Sequence, residues 1–271
     1  MYDYSLIQWI LFFFWYCFLG WIWECGYVSL VQAHKKKKWE FINRGFLHGP
    51  LIPIYGFAAI TILLATIRLR ENTLAVYVVG ALTATLFELV TGTVMEKLFK
   101  VKYWDYSNLP LNYKGHICFF VSLFWGFFAV ILVQMIHVPV EKVLFRVPKI
   151  VSEIIAFVLT AVFAYDTAAS FDEGMDLRTI LEEIAENNET VQKLEKRLDA
   201  VVAFSPIPDL KNLPSKQEIL EQFEDHVKHN FERHNKRYLR AARQLRRNPT
   251  MISEKYKENL ETLKELLRNR G

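Results

Sequence analysis

Three carboxylates lie inside apolar segments of the chain, where a charged group needs a specific reason to be present. Glu24, Glu88 and Asp166 each fall within a hydrophobic run long enough to form a membrane helix. On insertion scales, an acidic side chain at the centre of such a helix costs at least about 2.5 kcal/mol. Acids in these positions can hold a cation or cationic solute, relay protons, or perform general acid–base chemistry.

A polar loop after the segment of Glu24 carries two basic candidates, Arg44 and His48. It reads Asn-Arg-Gly-Phe-Leu-His-Gly-Pro over residues 43–50, and its glycines and proline interrupt helix geometry at the edge of a membrane segment. Arg44 and His48 could bind an anionic headgroup or phosphate, or neutralise the carboxylates. Alternatively, Arg44 is one more of the basic residues that stay on the cytoplasmic side.

A second loop, over residues 103–116, is rich in Tyr and Trp and contains three further polar candidates. Its aromatic residues are typical of anchors at the headgroup level. Asp105, Asn112 and His116 need another explanation, and a histidine beside a membrane carboxylate can relay protons or bind a metal. The sequence has no His-x-x-x-His or Cys-x-x-Cys spacing, no catalytic triad and no dinucleotide motif. We therefore expect no metal, no cofactor and no recognisable catalytic residues.

These candidates belong to a chain with two unlike parts. Residues 1–171 carry 24 charged side chains, whereas residues 172–271 carry 38. The first part has enough apolar residues to exclude disorder, and three cysteines in apolar runs exclude a disulfide framework. Uncharged runs at 51–67 and 117–136 are typical of membrane spans and argue against a soluble globule. We expect a transmembrane domain over 1–171 and a cytoplasmic helical tail over 172–271.

Five apolar segments are predicted to span the membrane and to position the candidates. They cover about 5–31, 51–67, 74–95, 117–136 and 154–171. The fifth is the weakest because Asp166 interrupts it, and a four-span protein with a buried or interfacial fifth helix is the alternative. Nine Lys and Arg residues in the loops after spans one and three, against five in the other loops, place the N-terminus outside. The predicted fold is an all-α polytopic membrane bundle with a C-terminal cytoplasmic helical or coiled-coil region.

This topology predicts that the three acids lie at a similar depth. Spans one, three and five run in the same direction, and Glu24, Glu88 and Asp166 each lie past the midpoint of their span. A shared polar cavity that opens to the cytoplasm is therefore expected. The alternative is that each acid reaches the interface by itself or pairs with a loop base such as Arg44.

Motifs in three regions resemble a known family. They are Gly-Trp-Ile-Trp-Glu at 20–24, Asn-Arg-Gly-Phe at 43–46 with Gly-Pro at 49–50 and Pro-Ile-Tyr-Gly at 53–56, and Trp-Asp-Tyr-Ser at 104–107 with residues 112–118. On these motifs, residues 5–137 resemble the ABC-transporter type IV permease-like family of bacterial membrane proteins. The resemblance implies an inner-membrane permease that works with a separate ATPase. In that family an arginine often occupies the position of His116. This chain departs from the family pattern there, so the resemblance does not support an anion-binding role for His116.

The chain itself contains no Gly-x-x-x-x-Gly-Lys-Ser/Thr phosphate loop. Any coupling to ATP therefore requires another polypeptide. Because five spans are few for a complete pore, we also expect the chain to assemble as a homo-oligomer in the lipid bilayer.

The tail is predicted to form helices separated by a proline-containing linker at 204–214. A heptad-like stripe begins at Leu181, and a capping box at 215–218 starts the next helix, which Asn-Pro at 248–249 ends. The predicted tail is a small helical hairpin, a bundle or a coiled-coil arm. Arg233, Arg237 and Arg240 fall on one helical face, which is either a solvated face or a site for anionic lipid. The lack of interleaved aromatic residues argues against nucleic acid.

Three functions agree with these features. The first is a permease whose acids Glu24, Glu88 and Asp166 line a solute or proton path, with Arg44 and Asp105 at its mouth. The second is a membrane-embedded enzyme that acts on or binds a lipid-linked substrate, with Arg44 on a phosphate. The third is a scaffold that recruits partners through its helical tail. We favour the permease, chiefly because of the family resemblance.

Overall fold

A computed structural model describes residues 4–36, 39, 41–204 and 236–268. The chain divides into two compact units. The first comprises Met1–Leu98 and Lys102–Phe171, and the second comprises Phe99–Val101 and Asp172–Gly271. Almost all regular structure in the described part is helical, so the predicted all-α class is confirmed.

The first unit is a bundle of apolar helices joined by short loops. Its elements, in chain order, are α1 (Leu6–Lys36), α2 (Pro53–Thr66) with a 3₁₀ turn (Ile67–Leu69), α3 (Thr73–Phe99), a hairpin of β1 (Asn112–Tyr113) and β2 (Ile117–Cys118), α4 (Phe119–Val130), a π-helical segment (Ile131–Ile136), α5 (His137–Arg146) and the first part of α6 (Lys149–Phe204). The core lies where α1, α2, α3 and the π segment meet, around Phe12, Leu63, Val76 and Val133.

Four helical stretches in the described residues are long and apolar enough to cross a membrane. They are Leu6–His34, Thr73–Phe99, Phe119–Arg146 and Lys149–Glu186. The second predicted span forms the shorter apolar helix Pro53–Leu69. It begins at Pro53 because proline suits the first turn of a helix, where its missing N–H costs nothing. The fifth predicted span, the weakest by sequence, belongs to the longest helix, α6.

The fourth span continues past its predicted end at residue 136. A π-helical segment, Ile131–Ile136, joins α4 to α5 without a break. Pro139 cannot donate a backbone hydrogen bond and its ring crowds the carbonyl four residues before it. The wider π turn lies directly before this proline, at the place where a regular α-helix would be strained.

The second unit pairs the second part of α6 with α7 (Lys236–Arg247), and α8 (Lys257–Arg268) follows. Acids along α6 form ion pairs with arginines along α7 in antiparallel order. The pairs are Glu183–Arg237, Asp176–Arg237, Asp176–Arg240, Glu173–Arg243 and Glu173–Arg247. α7 ends at Arg247, immediately before the Asn-Pro pair that was predicted to stop it.

These ion pairs bear on the predicted basic face of the tail. Arg237 and Arg240 form ion pairs with acids of α6. Anionic lipid would have to compete with these acids, and its binding to the basic face stays a prediction. Arg233 lies outside the described residues. So do the linker at 205–214, the capping box at 215–218 and the side chains of the heptad stripe from 187 onward. Within the described part of that stripe, Leu181 and Ile184 are buried.

Candidate functional site

Glu24 lies on α1 between a tyrosine and an arginine. Tyr55, in the first turn of α2, donates its hydroxyl to Glu24 Oε1 at 2.7 Å. Arg44 Nε lies 3.1 Å from Glu24 Oε2, and the two side chains are 15% and 28% exposed. The tyrosine reaches this position because Gly20 has no side chain: a Cβ there would stand 2.3 Å from Tyr55 Cγ.

The loop that presents Arg44 is tied to α1 on both sides of the arginine. The Arg44 N–H donates to Cys25 Sγ at 3.2 Å, and the Cys25 thiol points at the Arg44 carbonyl at 3.7 Å. Trp21 Nε1 donates to Asn43 Oδ1 at 2.7 Å. The two contacts with Cys25 satisfy backbone groups of Arg44 in an irregular loop, which would otherwise be costly at a membrane edge. The three contacts together explain why Trp21, Asn43 and Arg44 occur together in the motifs.

Glu88, on α3, is held by neutral donors. Glu88 is only 5% exposed to solvent. Tyr106 donates its hydroxyl to Oε1 at 2.9 Å, and Trp125 Nε1 donates to Oε2 at 3.0 Å. Within the described residues, no Lys, Arg or His is among the hydrogen-bond or ion-pair partners of Glu88. A buried carboxylate of this kind is a functional candidate, because the described partners of Glu88 carry no charge that would neutralise it.

The two glutamates share one cluster through their aromatic partners. The rings of Tyr55 and Trp125 meet edge to face, with centroids 6.4 Å apart. Burial, followed by the charges of Glu88 and Glu24, raises the pKa of Tyr106 well above its ordinary value of 10.0. Both carboxylates therefore act on the same phenol. We call the cluster of Glu24, Glu88, Tyr55, Tyr106, Trp125 and Arg44 the glutamate site.

Asp166 belongs to a different group. It accepts the backbone N–H groups of His48 at 3.0 Å and of Gly49 at 2.8 Å. His48 Nδ1 lies 2.7 Å from Asp166 Oδ1, and Ser170 Oγ lies 3.1 Å from the same nitrogen. Asp166 thus fixes the first polar loop onto α6. The described contacts do not join it to Glu24 or Glu88, so the one cavity shared by three acids stays a prediction.

In the second loop, Asp105 and Asn112 hold the backbone in place. Asp105 Oδ1 accepts the N–H and the hydroxyl of Ser107, at 3.1 and 2.6 Å. Asn112 Oδ1 accepts the N–H of Gly115, which has a φ of +70°. A Cβ at Gly115 would stand 2.1 Å from Asp105 Oδ1. These contacts shape the loop that carries Tyr106, and they give neither residue a direct contact with the glutamates.

His116 pairs with an acid that the sequence did not single out. Its Nε2 lies 3.0 Å from Glu96 Oε2, and the histidine is buried. Lys102 Nζ lies 3.9 Å from the other oxygen of Glu96 and donates to the Lys114 carbonyl at 2.9 Å. An arginine at position 116 would meet the same carboxylate. Glu96 was not predicted as a site residue because it lies one residue beyond the predicted end of the third span. The helix α3 in fact continues to Phe99.

The arrangement provides carboxylates, phenols and an indole, and these suit a proton or a small cation better than a transition metal. No group of three or more His, Cys, Asp or Glu side chains that could hold a metal ion occurs in the described ranges. The three cysteines are buried free thiols.

A bundle of apolar helices with a buried acidic site defines a polytopic membrane protein. The chain belongs to the family described as putative ABC-transporter type IV, whose sequence model matches residues 11–171. The resemblance seen in the motifs is therefore confirmed, and the match extends beyond residue 137 to include Asp166. No curated protein and no solved structure matches the chain. The family makes the protein a transporter-related membrane protein.

Proposed function

We propose that the chain is the permease component of an ABC transporter in the bacterial inner membrane, and that the glutamate site binds a proton or small cation during transport. One observation carries this proposal: Glu88 is 5% exposed and its partners are a phenol and an indole rather than a base. A positive charge that arrived at this carboxylate would remove the cost of burying it alone. The Arg44–Glu24 ion pair belongs to the same cluster, because Tyr55 donates to Glu24 and its ring meets that of Trp125.

Three further parts of the proposal concern the energy source, the orientation and the assembly of the protein. The energy source is a separate ATPase, because the sequence has no phosphate loop. The N-terminus lies outside and the tail lies in the cytoplasm, in line with the basic loop residues. The chain assembles with itself or with its partner, since one copy supplies few helices for a pore.

The alternative function, a membrane-embedded enzyme that acts on or binds a lipid-linked substrate, is less well supported. Such a site needs a free cation for the phosphate, and Arg44 is the residue that sequence reasoning assigned to it. Arg44 Nε is committed to Glu24 at 3.1 Å, so binding a phosphate would first break that pair. We therefore favour transport over chemistry on a lipid.

The experiment starts with purification of the full chain from its host in mild detergent, followed by mass spectrometry of co-purifying proteins and lipids. We expect a stoichiometric ATPase subunit. The complex is then placed in vesicles that contain a dye sensitive to pH, Na⁺ or K⁺, and the ATP-driven flux of each ion is measured with its own dye. Glu88→Gln should abolish the flux of the ion that the unchanged complex transports. Glu153→Gln is the matched control, because Glu153 is a half-exposed acid of α6.

Two outcomes would overturn the proposal. One is an ATPase complex whose flux is the same with Glu88→Gln as with the unchanged chain. The other is the absence of any ATPase together with a bound lipid that is lost in the Glu24→Gln/Glu88→Gln double variant. The second result would favour the lipid-binding or enzymatic function.

A further inference from the structure

The hairpin between α3 and α4 carries large apolar side chains that the chain leaves largely uncovered. Leu109, Leu111 and Tyr113 are 41%, 70% and 55% exposed. All three lie between the membrane-length stretches Thr73–Phe99 and Phe119–Arg146 rather than within them. A loop that extended into water would keep these neighbouring apolar side chains hydrated, at a cost in free energy for each. Their exposure therefore points to an apolar environment around the hairpin.

The exposed residues are not the ones that the sequence indicated. The sequence predicts aromatic anchors throughout residues 103–116. In the structure Tyr103 is buried, and Trp104 and Tyr106 use their polar atoms for hydrogen bonds inside the unit. Of these aromatic residues, only Tyr113 is largely exposed. The apolar surface of the hairpin is therefore formed by two leucines and one tyrosine.

The hairpin folds back along α3 instead of leaving it. The Tyr106 hydroxyl reaches Glu88, which lies about 16 Å of helix before the end of α3 at Phe99. A Cβ at Gly92, about 10 Å before that end, would stand 2.9 Å from His116 Nδ1. Because α3 is about 40 Å long against a hydrocarbon core of about 30 Å, the contact at Glu88 falls within the thickness of the membrane. The hairpin thus lies beside the last turns of a membrane span.

The tip of the hairpin lies next to the start of α4. The Phe119 N–H donates to the Leu111 carbonyl at 3.1 Å. Phe119 is the first residue of the stretch Phe119–Arg146, and it is 53% exposed, as expected of a side chain that faces lipid. The exposed edge of the hairpin is therefore continuous with the lipid-facing surface of a membrane helix.

The backbone of the tip has a defined shape that its own side chains hold. Leu111 and Lys114 have φ angles of +56° and +52°, in the left-handed region that favours glycine. Asn112 Nδ2 donates to the Leu109 carbonyl at 2.7 Å, and Asn112 Oδ1 accepts the N–H of Gly115 at 3.2 Å. These bonds satisfy backbone groups of an irregular segment, which is a condition for placing such a segment at membrane depth.

The charge of the hairpin is complementary to a phospholipid surface. Residues 106–119 contain no Asp or Glu. Lys114 is exposed, and its Nζ lies 5.6 Å from the centre of the Tyr113 ring. A lysine beside apolar side chains keeps its ammonium group at the lipid phosphates while its stem stays in the apolar layer.

We propose that residues 109–114 are a lipid anchor. The three exposed apolar side chains lie at the boundary between headgroups and acyl chains, in the leaflet at the Phe99 end of α3, and Lys114 binds a lipid phosphate. The anchor holds against the membrane the loop that carries Tyr106.

The first test asks whether a bilayer shields the exposed tip. Leu111→Cys and Lys257→Cys are made in the full chain, placed in nanodiscs of phosphatidylglycerol and phosphatidylcholine, and treated with a sulfonated, water-soluble maleimide. The three native cysteines are buried, and Lys257 is an exposed residue of α8. Burial of the remaining Leu109 favours the anchored tip by about tenfold or more, so Leu111→Cys should react at least about tenfold more slowly than Lys257→Cys. Equal rates would place the tip in water and overturn the anchor.

The second test identifies what shields the tip. The photoreactive residue p-benzoylphenylalanine replaces Leu111 in the full chain, and the host membranes are illuminated before extraction. Mass spectrometry should find phospholipid adducts, as it should for the same replacement of Phe124, which is 63% exposed on α4. An adduct of position 111 with a second copy or with another protein would show that the tip docks on protein, and would overturn the proposal. So would the absence of a lipid adduct at position 111 when position 124 gives one. Neither test needs ATP or a transported solute, so the failure of the anchor and the failure of the permease are distinguishable.

Discussion

At the scale of single residues, the two glutamates of the candidate site are stabilised by different means. Glu24 faces the guanidinium of Arg44, whereas Glu88 receives one hydrogen bond on each oxygen from an uncharged donor. Removing one partner of a buried ion pair leaves an uncompensated charge, which usually costs more than the pair contributed. The same reasoning predicts that the two carboxylates respond differently when their partners are replaced.

Arg44→Gln should destabilise the protein, because among the described residues Glu24 then keeps only the Tyr55 hydroxyl as a partner. The pair is partly exposed, so solvent screening limits the expected loss to about 1–2 kcal/mol of unfolding free energy. The Glu24→Gln/Arg44→Gln double variant should lose less than the sum of the two single changes. Chemical unfolding of the four proteins in detergent measures this coupling. Strictly additive losses would mean that the ion pair does not form.

Tyr106→Phe should change both stability and its dependence on pH. The variant loses a hydrogen bond to the buried Glu88, worth about 1.5 kcal/mol. The raised pKa of Tyr106 means that the folded protein keeps a proton that the unfolded chain releases above pH 10.0. Its stabilising contribution is therefore complete below that pH and falls as the pH rises further.

The measurement is the free energy of unfolding of both proteins across neutral and alkaline pH. Above pH 10.0, stability should fall less steeply in Tyr106→Phe than in the unchanged chain. Tyr113→Phe is the control, because Tyr113 is an exposed tyrosine of the same loop. Equal slopes for the unchanged chain and Tyr106→Phe would show that the phenol is not held in its protonated form by the site.

Single residues also mark where sequence reasoning reached its limit. Glu24, Glu88 and Arg44 could be singled out because charge in an apolar context is rare. Their partners could not, since Tyr55, Tyr106 and Trp125 look like ordinary aromatic residues of a membrane protein. His137 was likewise passed over, because nothing in its neighbours reveals that two tyrosines from a distant part of the chain meet its ring.

At the scale of elements, the glutamate site depends on how closely α1 and α2 approach. Gly20→Ala would place a methyl group 2.3 Å from Tyr55 Cγ. We expect overpacking to cost about 1–3 kcal/mol and to pull the Tyr55 hydroxyl away from Glu24. Gly26→Ala on the same helix is the matched control, because its methyl group would meet nothing within 4 Å. That change should stabilise α1 by about 0.5–1 kcal/mol.

Thermal unfolding of the two glycine variants in detergent gives the comparison directly. A Gly20→Ala protein as stable as Gly26→Ala would contradict the predicted overpacking against Tyr55. Such a result would mean that the two helices can separate at Gly20 without cost, and that Tyr55 is not held in contact with α1.

The elements themselves were predictable to the extent that hydropathy determines them. Uncharged runs located the spans, because only helices satisfy their backbone groups in lipid. Their ends were less predictable, since they depend on contacts made elsewhere. Residues 45–52 form an irregular loop whose backbone is held partly by Asp166 of α6, and the fourth helix passes through a π turn before Pro139. Neither feature leaves a periodic signal in the local sequence.

At the scale of the whole molecule, the family match and the first compact unit end at the same residue. The match covers residues 11–171, and the first unit ends at Phe171. The described contacts among the residues of the glutamate site join residues of that unit. Ion pairs between α6 and α7 join helices of the second unit, which lies beyond the matched residues except for Phe99–Val101. We infer that the function common to the family resides in the first unit.

The number of membrane crossings decides whether the two termini of the chain lie on the same side or on opposite sides. The element that decides this number is α2. Pro53–Leu69 has 17 residues, about 25 Å of helix against a hydrocarbon core of about 30 Å. If α2 crosses, there are five spans and the termini lie on opposite sides, with the tail in the cytoplasm. We expect a C-terminal green fluorescent protein fusion to fluoresce and an N-terminal alkaline phosphatase fusion to be active outside. Fusions that report both termini on one side would show that α2 does not cross, and would move Tyr55 and Glu24 away from a transmembrane path.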